Sequence, residues 1–287
     1  MKSYSPHALF QRTTLLLGRP AMEQMARRRV IIFGLGGVGS WCAEALVRTG
    51  FAHLTLVDSD TICVTNVNRQ VQATAHNVGA VKAEELRKRL LEINPHANIT
   101  ALRTAYDEQT QSQFDLAQYD YAVDAIDSLK NKVLLIEHCA RSGVKFYCSM
   151  GAAARLDPTQ IRTSTLDQIQ GCRLARVVRQ ELRRRKVPLT SVTCVHSLEP
   201  ALEPVGRAAC GTSACLCVPE KPGQENEFPD WCSTKARING AVVHVTAIFG
   251  LTLAGLIIRD LLANLPPPEE VPTEAPIMLT AGHGTQK

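Results

Sequence analysis

The 287-residue chain predicts an α/β fold: a Rossmann-like, doubly wound and mostly parallel sheet with a C-terminal extension and a covering helix. Three observations carry that expectation. Short, mainly apolar runs alternate with longer stretches of interleaved apolar and charged residues, the pattern of buried parallel strands and their crossover helices. The first apolar run ends in Gly34-x-Gly36-x-x-Gly39, which opens a helix. The second run ends at Asp58, 19 residues after Gly39, where an acidic side chain can meet a nucleotide ribose.

Residues 1–29 are polar and predict a helical arm. Residues 30–33 (Val-Ile-Ile-Phe) are the first strand, followed by the glycine turn and a helix over 40–48. Residues 54–57 form the second strand. A helix over about 80–93 stops at Asn94-Pro95, since proline cannot continue it. Residues 99–102 and 121–123 are the next strands, the latter running into Asp124. A helix over 132–142 and a strand over 144–149 complete the alternation. Beyond Gly151 the pattern loosens into two short strands, 161–166 and 192–196, around a basic helix, 173–186. Residues 238–258 contain no Asp, Glu, Lys or Arg for 21 positions. That length could span a bilayer, but His244, Asn239 and three glycines favour a helix buried over the sheet. Peripheral membrane association through 238–258 stays open. The expected organisation is an arm (1–29), a Rossmann-like domain (30–165), a second region (166–263), and a disordered proline-rich tail (264–287).

Composition sets outer limits. With 45% hydrophobic and 21% charged residues, the chain is neither a disordered polymer nor a small disulfide scaffold. A net charge of +5 permits a polyanionic partner without requiring one. The ten cysteines form no C-x-x-C pair, so no zinc is expected. Cys42, Cys139, Cys148 and Cys194 sit in apolar runs. The start carries no basic-then-apolar signal segment, and a reduced, cytoplasmic protein is the expectation.

Gly34, Gly36, Gly37 and Gly39 at a helix start let phosphate approach free backbone N–H groups. Taken alone, this turn with Asp58 indicates only an adenine nucleotide, with NAD the default. The residues that follow argue against NAD: Asp60, Asn66, Arg69, Gln70 and Lys82, then Asp124 and Asp127 after the fourth strand. Hydride transfer has no need of two cations and extra carboxylates beside the phosphates. Nucleotidyl chemistry does, because cations offset phosphate charge and a carboxylate can hold magnesium.

These residues resemble the ATP-binding domain of the ubiquitin-activating-enzyme-like adenylyltransferases, over about residues 8–165. The resemblance implies ATP and Mg2+, with Asp58 on the ribose. It places Asn66, Arg69, Gln70 and Lys82 on the triphosphate and Asp127 on magnesium. It also implies a homodimer in which Arg12, in Phe-Gln-Arg-Thr, reaches the neighbouring subunit's ATP. The absent zinc pairs, the helix from Leu174 to Arg183 and His196-Ser-Leu-Glu-Pro200 look like the bacterial tRNA threonylcarbamoyladenosine dehydratases. That branch implies ATP-dependent cyclisation of a threonylcarbamoyl group on tRNA through an acyl-adenylate. It also implies a cysteine desulfurase or sulfur-acceptor protein as a further partner. Cys232 is then a candidate sulfur-relay thiol, with Cys210, Cys215 and Cys217 as alternatives. Arg173, Arg176, Arg179, Arg183, Arg184, Arg185 and Lys186 are candidate tRNA contacts, since Leu174, Val177, Val178 and Leu182 would turn inward. Two other readings stay open: activation of a ubiquitin-like sulfur carrier's C-terminus, and a non-catalytic NAD-binding regulator.

Overall fold

The computed structural model describes residues 4–203, 205–206 and 239–265. The arm is a short helix α1 (Pro6–Leu9) and a longer α2 (Gln11–Arg27) that breaks at Gly18, whose φ of 80° is not helical. Then follow β1 (Arg29–Phe33), α3 (Gly39–Thr49), β2 (His53–Val57), α4 (Lys82–Ile93), β3 (Asn98–Leu102), β4 (Tyr121–Asp124), α5 (Leu129–Ser142) and β5 (Lys145–Ser149). The last elements are β6 (Ile161–Thr165), α6 (Arg173–Arg184), β7 (Thr193–Ser197) and α7 (Val243–Ala263).

One seven-stranded sheet runs in the order β3-β2-β1-β4-β5-β7-β6, parallel except for β6 against β7. The strand order reverses between β1 and β4, which opens a crevice at their carboxyl ends. The sheet also runs across residue 165: β7 comes from the later segment yet lies between β5 and β6.

Side chains alternate between two cores, as the pleat requires. Val30 and Ile32 join α3, α4 and α7 in one, while Ile31 and Phe33 join α5 and α6 in the other. Because both faces are covered, β1 is apolar at every position from Val30 to Phe33.

The covering helix occupies Val243–Ala263 rather than 238–258. It passes through Arg259 and Asp260, the latter receiving Lys145 in an ion pair at 2.8 Å and the Tyr121 hydroxyl at 3.1 Å. The Asp260 charge is thus accommodated at the amino ends of β4 and β5. Gly250 faces α3 so closely that a Cβ would lie 2.3 Å from the Val38 carbonyl oxygen. By length and apolarity this helix could cross a membrane, but half of its most apolar stretch is buried against the protein.

Candidate active site

The C-terminal ends of β1, β2, β4 and β5 surround a cavity of about 940 Å³, at the upper end for a ligand pocket. Gly34, Gly36, Gly37, Asp58, Asp60, Asn66, Arg69, Gln70, Lys82 and Asp127 all line it. Gly39 lies just behind, at the start of α3. A Cβ on Gly39 would sit 1.9 Å from the Gly34 carbonyl oxygen, and Gly34 has φ of +88°, where a Cβ would sit 2.7 Å from Ala125 O. Only glycine allows this turn. At Gly36, by contrast, a Cβ would meet only an ordinary contact, Gln70 Nε2 at 3.9 Å.

Asp58 ties the turn to β2. Its Oδ2 accepts the Leu35 N–H at 2.7 Å and its Oδ1 the Asp60 N–H at 2.9 Å. Burial pushes its carboxyl up, while the Lys82 charge pulls it down. Lys82 begins α4 and places Nζ 2.8 Å from Asp60 Oδ2. Arg69 is anchored through Nη1 to the Thr65 carbonyl at 2.7 Å and to Asn68 Oδ1 at 3.0 Å. Trp41 Nε1 donates to the Arg69 carbonyl at 3.0 Å. Burial lowers the Arg69 pKa, and nearby Asp127 opposes that shift. Asn66 has a local task too, accepting the Cys63 N–H at 3.0 Å.

The arrangement fits a nucleoside triphosphate. Helix α3 starts without a side-chain cap, leaving backbone donors for an anion. The Gln70 amide oxygen is buried with no partner. Among the described residues no group of three His, Cys, Asp or Glu could enclose a metal. A divalent cation held by one carboxylate and the substrate's own phosphates suits this donor set.

The structure separates other candidates from this cavity. Arg12 is exposed on α2 and does not line it. Cys232, Cys210, Cys215 and Cys217 lie outside the described residues. The basic helix needs a correction. It ends at Arg184, and Lys186 takes φ of 58°. Ala175, Val178 and Leu182 are its buried stripe, while Leu174 and Val177 face the cavity. Arg179 turns inward and donates to the Leu166 carbonyl at 3.1 Å and to that of Ile169, so it is not an outward tRNA contact. Arg184 pairs with Glu181 at 2.7 Å and Arg185 with Glu137 at 2.6 Å. Arg173, Arg176, Arg183 and Lys186 remain exposed and outside the ion pairs of the described residues.

Sequence reasoning missed Lys132 and Arg155. Lys132 lies in the buried face of α5 and pairs with Asp124 at 2.7 Å. Its signal was a lysine in helical register with Val133, Ile136 and Cys139. Arg155 follows a run of four small residues, 151–154, which carries no comparable pattern.

The ThiF family pattern matches residues 10–278. The tRNA threonylcarbamoyladenosine dehydratase of Escherichia coli (strain K12) is 33% identical over 262 residues, covering 89% of this chain and 94% of that protein. The crystal structure of E. coli tRNA N6-threonylcarbamoyladenosine dehydratase, TcdA, in complex with ATP superposes with a TM-score of 0.75 at 32% identity. It covers 90% of this chain and 95% of the other. The molybdopterin-synthase adenylyltransferase of E. coli is 32% identical over only 52% of this chain and 59% of its own length.

Proposed function

We infer the activity from the premise that the chain belongs to the ThiF family: it is an ATP-dependent tRNA threonylcarbamoyladenosine dehydratase. The observation that carries this reading is the convergence of Arg69, Lys82 and Asp127 on the pocket of the glycine turn. The similarity to dehydratases over nearly the whole chain supports it, since the carrier-activating relative matches only half. It also weighs against the NAD-binding alternative.

In this reading the threonyl carboxylate attacks the α-phosphate of ATP, and pyrophosphate leaves. The carbamoyl group then closes a ring on the acyl-adenylate and releases AMP. The nucleophile is already attached, so ring closure outruns hydrolysis. Arg69 and Lys82 offset charge on the phosphates and the leaving pyrophosphate, and Asp58 takes the ribose. Asp127 would hold Mg2+, which when bound neutralises phosphate charge. Incubating the protein with ATP and either tRNA carrying threonylcarbamoyladenosine or a ubiquitin-like carrier should release AMP with the tRNA alone. AMP release only with the carrier would overturn the assignment.

We also propose a homodimer formed through the arm. Leu15 and Leu16 are each 81% exposed on α2, one turn from Arg12, which suits burial against a second copy. If Arg12 completes the partner's site, mixed dimers of Arg12→Ala and Lys82→Ala chains should regain part of the lost turnover. Verified mixed dimers with no recovery would make Arg12 structural.

The tRNA surface is expected beside the pocket, where α6 carries Arg173, Arg176 and Arg183 on one exposed face. Replacing Arg176 and Arg183 by Gln should weaken tRNA binding and flatten its salt dependence by about one unit of slope for each phosphate no longer neutralised. Arg185→Gln should leave the slope alone, because its partner is Glu137. A filter-binding series across salt concentrations separates these outcomes.

Burial holds the thiols of Cys42, Cys139 and Cys148 above the usual range, so they are unsuited to relay sulfur. We assign that role, with a cysteine desulfurase or sulfur-acceptor partner, to Cys232. A cytoplasmic setting suits the six free, buried cysteines among the described residues. Peripheral membrane contact through 238–258 would use the half of α7 left uncovered.

A further inference from the structure

Arg155 is a buried cation that the nucleotide chemistry does not use. It is 5% exposed and lines the far part of the active-site cavity. Its Nε donates to the Gly151 carbonyl at 3.1 Å, while its Nη1 is buried with no partner. It takes part in none of the ion pairs among the described residues. His196, close enough to feel its charge, is driven toward the neutral form by burial and by Arg155 itself. Neutral or protonated, an imidazole carries no negative charge, so it cannot balance the guanidinium. A buried guanidinium without a carboxylate is costly unless a ligand brings the anion.

The topology says which ligand group that is. Along the carboxyl edge of the sheet the order is β2, β1, β4, β5. Asp58 follows β2, the glycine turn β1, Asp127 β4 and Arg155 β5. Strands are spaced about 4.8 Å apart, so the β5 end lies about 10 Å past the glycine turn, on the side away from the ribose carboxylate. The nucleotide occupies the first part of this row, and Arg155 closes the other.

The loop carrying Arg155 is also fixed in place. Glu199 accepts the N–H groups of Leu156 at 3.0 Å and Asp157 at 2.9 Å. Ala154, a non-glycine residue at φ of 59°, donates to the Gly240 carbonyl and accepts from the Leu202 N–H, both at 2.8 Å. Backbone in this region is strained for alanine and persists where its surroundings impose it, often at ligand sites.

We propose that Arg155 is the substrate-side anion anchor: its guanidinium takes the threonyl carboxylate of the modified adenosine and presents it to the α-phosphate. A planar fork of donors matches a carboxylate in two-point contact. The assignment rests on the dehydratase reading and names the residue that recognises its reacting group.

The test compares the same tRNA with and without the threonylcarbamoyl group, together with ATP. Wild-type protein should bind the modified tRNA more tightly and release AMP from it. Arg155→Gln should weaken the modified tRNA by about 10- to 100-fold, the loss expected for a charge-assisted contact. Affinities for unmodified tRNA and for ATP should stay within about threefold, well below that change. Should the Gln variant fail to fold, Arg155→Lys keeps the charge without the fork and should still raise the KM for modified tRNA. Retained preference for the modified tRNA in the variants, or a parallel loss of ATP affinity, overturns the anchor. Wild-type protein that releases no AMP with modified tRNA instead overturns the dehydratase reading.

Discussion

Lys132→Met is expected to lower folding stability by about 3–5 kcal/mol, the usual cost of stranding one partner of a buried ion pair. Lys132 and Asp124 are 0% and 1% exposed at their side chains. Lys132 Nζ reaches Asp124 Oδ2 at 2.7 Å and the Ser149 carbonyl at 2.9 Å, joining β4, α5 and β5 beneath the pocket. Asp124 Oδ1 accepts the Ile126 N–H at 3.0 Å and so shapes the turn that presents Asp127. Burial pushes the Asp124 carboxyl up, and Lys132 is the first influence holding it down. The folded-state carboxyl already sits above its unfolded value of about 3.9, and without the lysine it rises further. A carboxyl raised in the folded state is favourable when protonated, and that advantage disappears as pH climbs through the raised pKa. The variant's deficit should therefore be smallest near pH 4, close to the unfolded value, and largest above neutrality. Denaturant midpoints across pH measure it. The double variant Asp124→Asn, Lys132→Met should recover much of the loss, since no charge is then stranded. A deficit below about 1 kcal/mol at neutral pH, within the range of ordinary surface changes, would mean the pair does not hold the turn.

The sheet was legible because parallel strands buried on both faces are predominantly apolar: 30–33 is so at every position, and 54–57 at all but Thr55. Helix boundaries were less so. The uncharged stretch 238–258 suggested its own limits, but α7 starts at Val243 and continues past Arg259 and Asp260, where the amino ends of β4 and β5 supply Tyr121 and Lys145 to Asp260. Nothing local in 161–166 and 192–196 reveals that β7 enters beside β5 and leaves β6 antiparallel at the edge. In the site, the glycine turn, Asp58 and Asp127 could be read because each lies at or just after a strand end, and Arg69 and Lys82 because they stand between β2 and the first turn of α4 beside that same pattern. Charge without context misled in α6. Arg179 and Arg185 look like solvent-facing cations in sequence, yet one satisfies carbonyls at the start of the helix's neighbour loop and the other meets Glu137 across from α5. Lys132 and Arg155 escaped for the same reason. A lysine or arginine reads as surface until the fold buries it, and its partner is distant in sequence or arrives with the substrate.

Arg69→Ala and Lys82→Ala should each lower AMP formation by about 10²-fold or more, as when a preorganised charge facing the transition state is removed. Both side chains are already held for the task. Arg69 is fixed through one nitrogen to Thr65 and Asn68, and Trp41 holds its backbone. Lys82 stands at the first turn of α4 against Asp60. Little reorganisation is then needed when charge builds on the leaving pyrophosphate. The proposed role puts both cations to work in the reacting state, and it therefore requires single-turnover AMP formation at saturating ATP to fall more than ATP affinity does. A change confined to ATP affinity would mean uniform binding of ground and transition states. Arg69→Lys should restore only part of the rate, since a point charge lacks the guanidinium's planar set of donors. Unfolding midpoints close to wild type would show that the losses are chemical. Wild-type turnover in both alanine variants would remove adenylation from this pocket, leaving the glycine turn to bind a nucleotide that is not consumed.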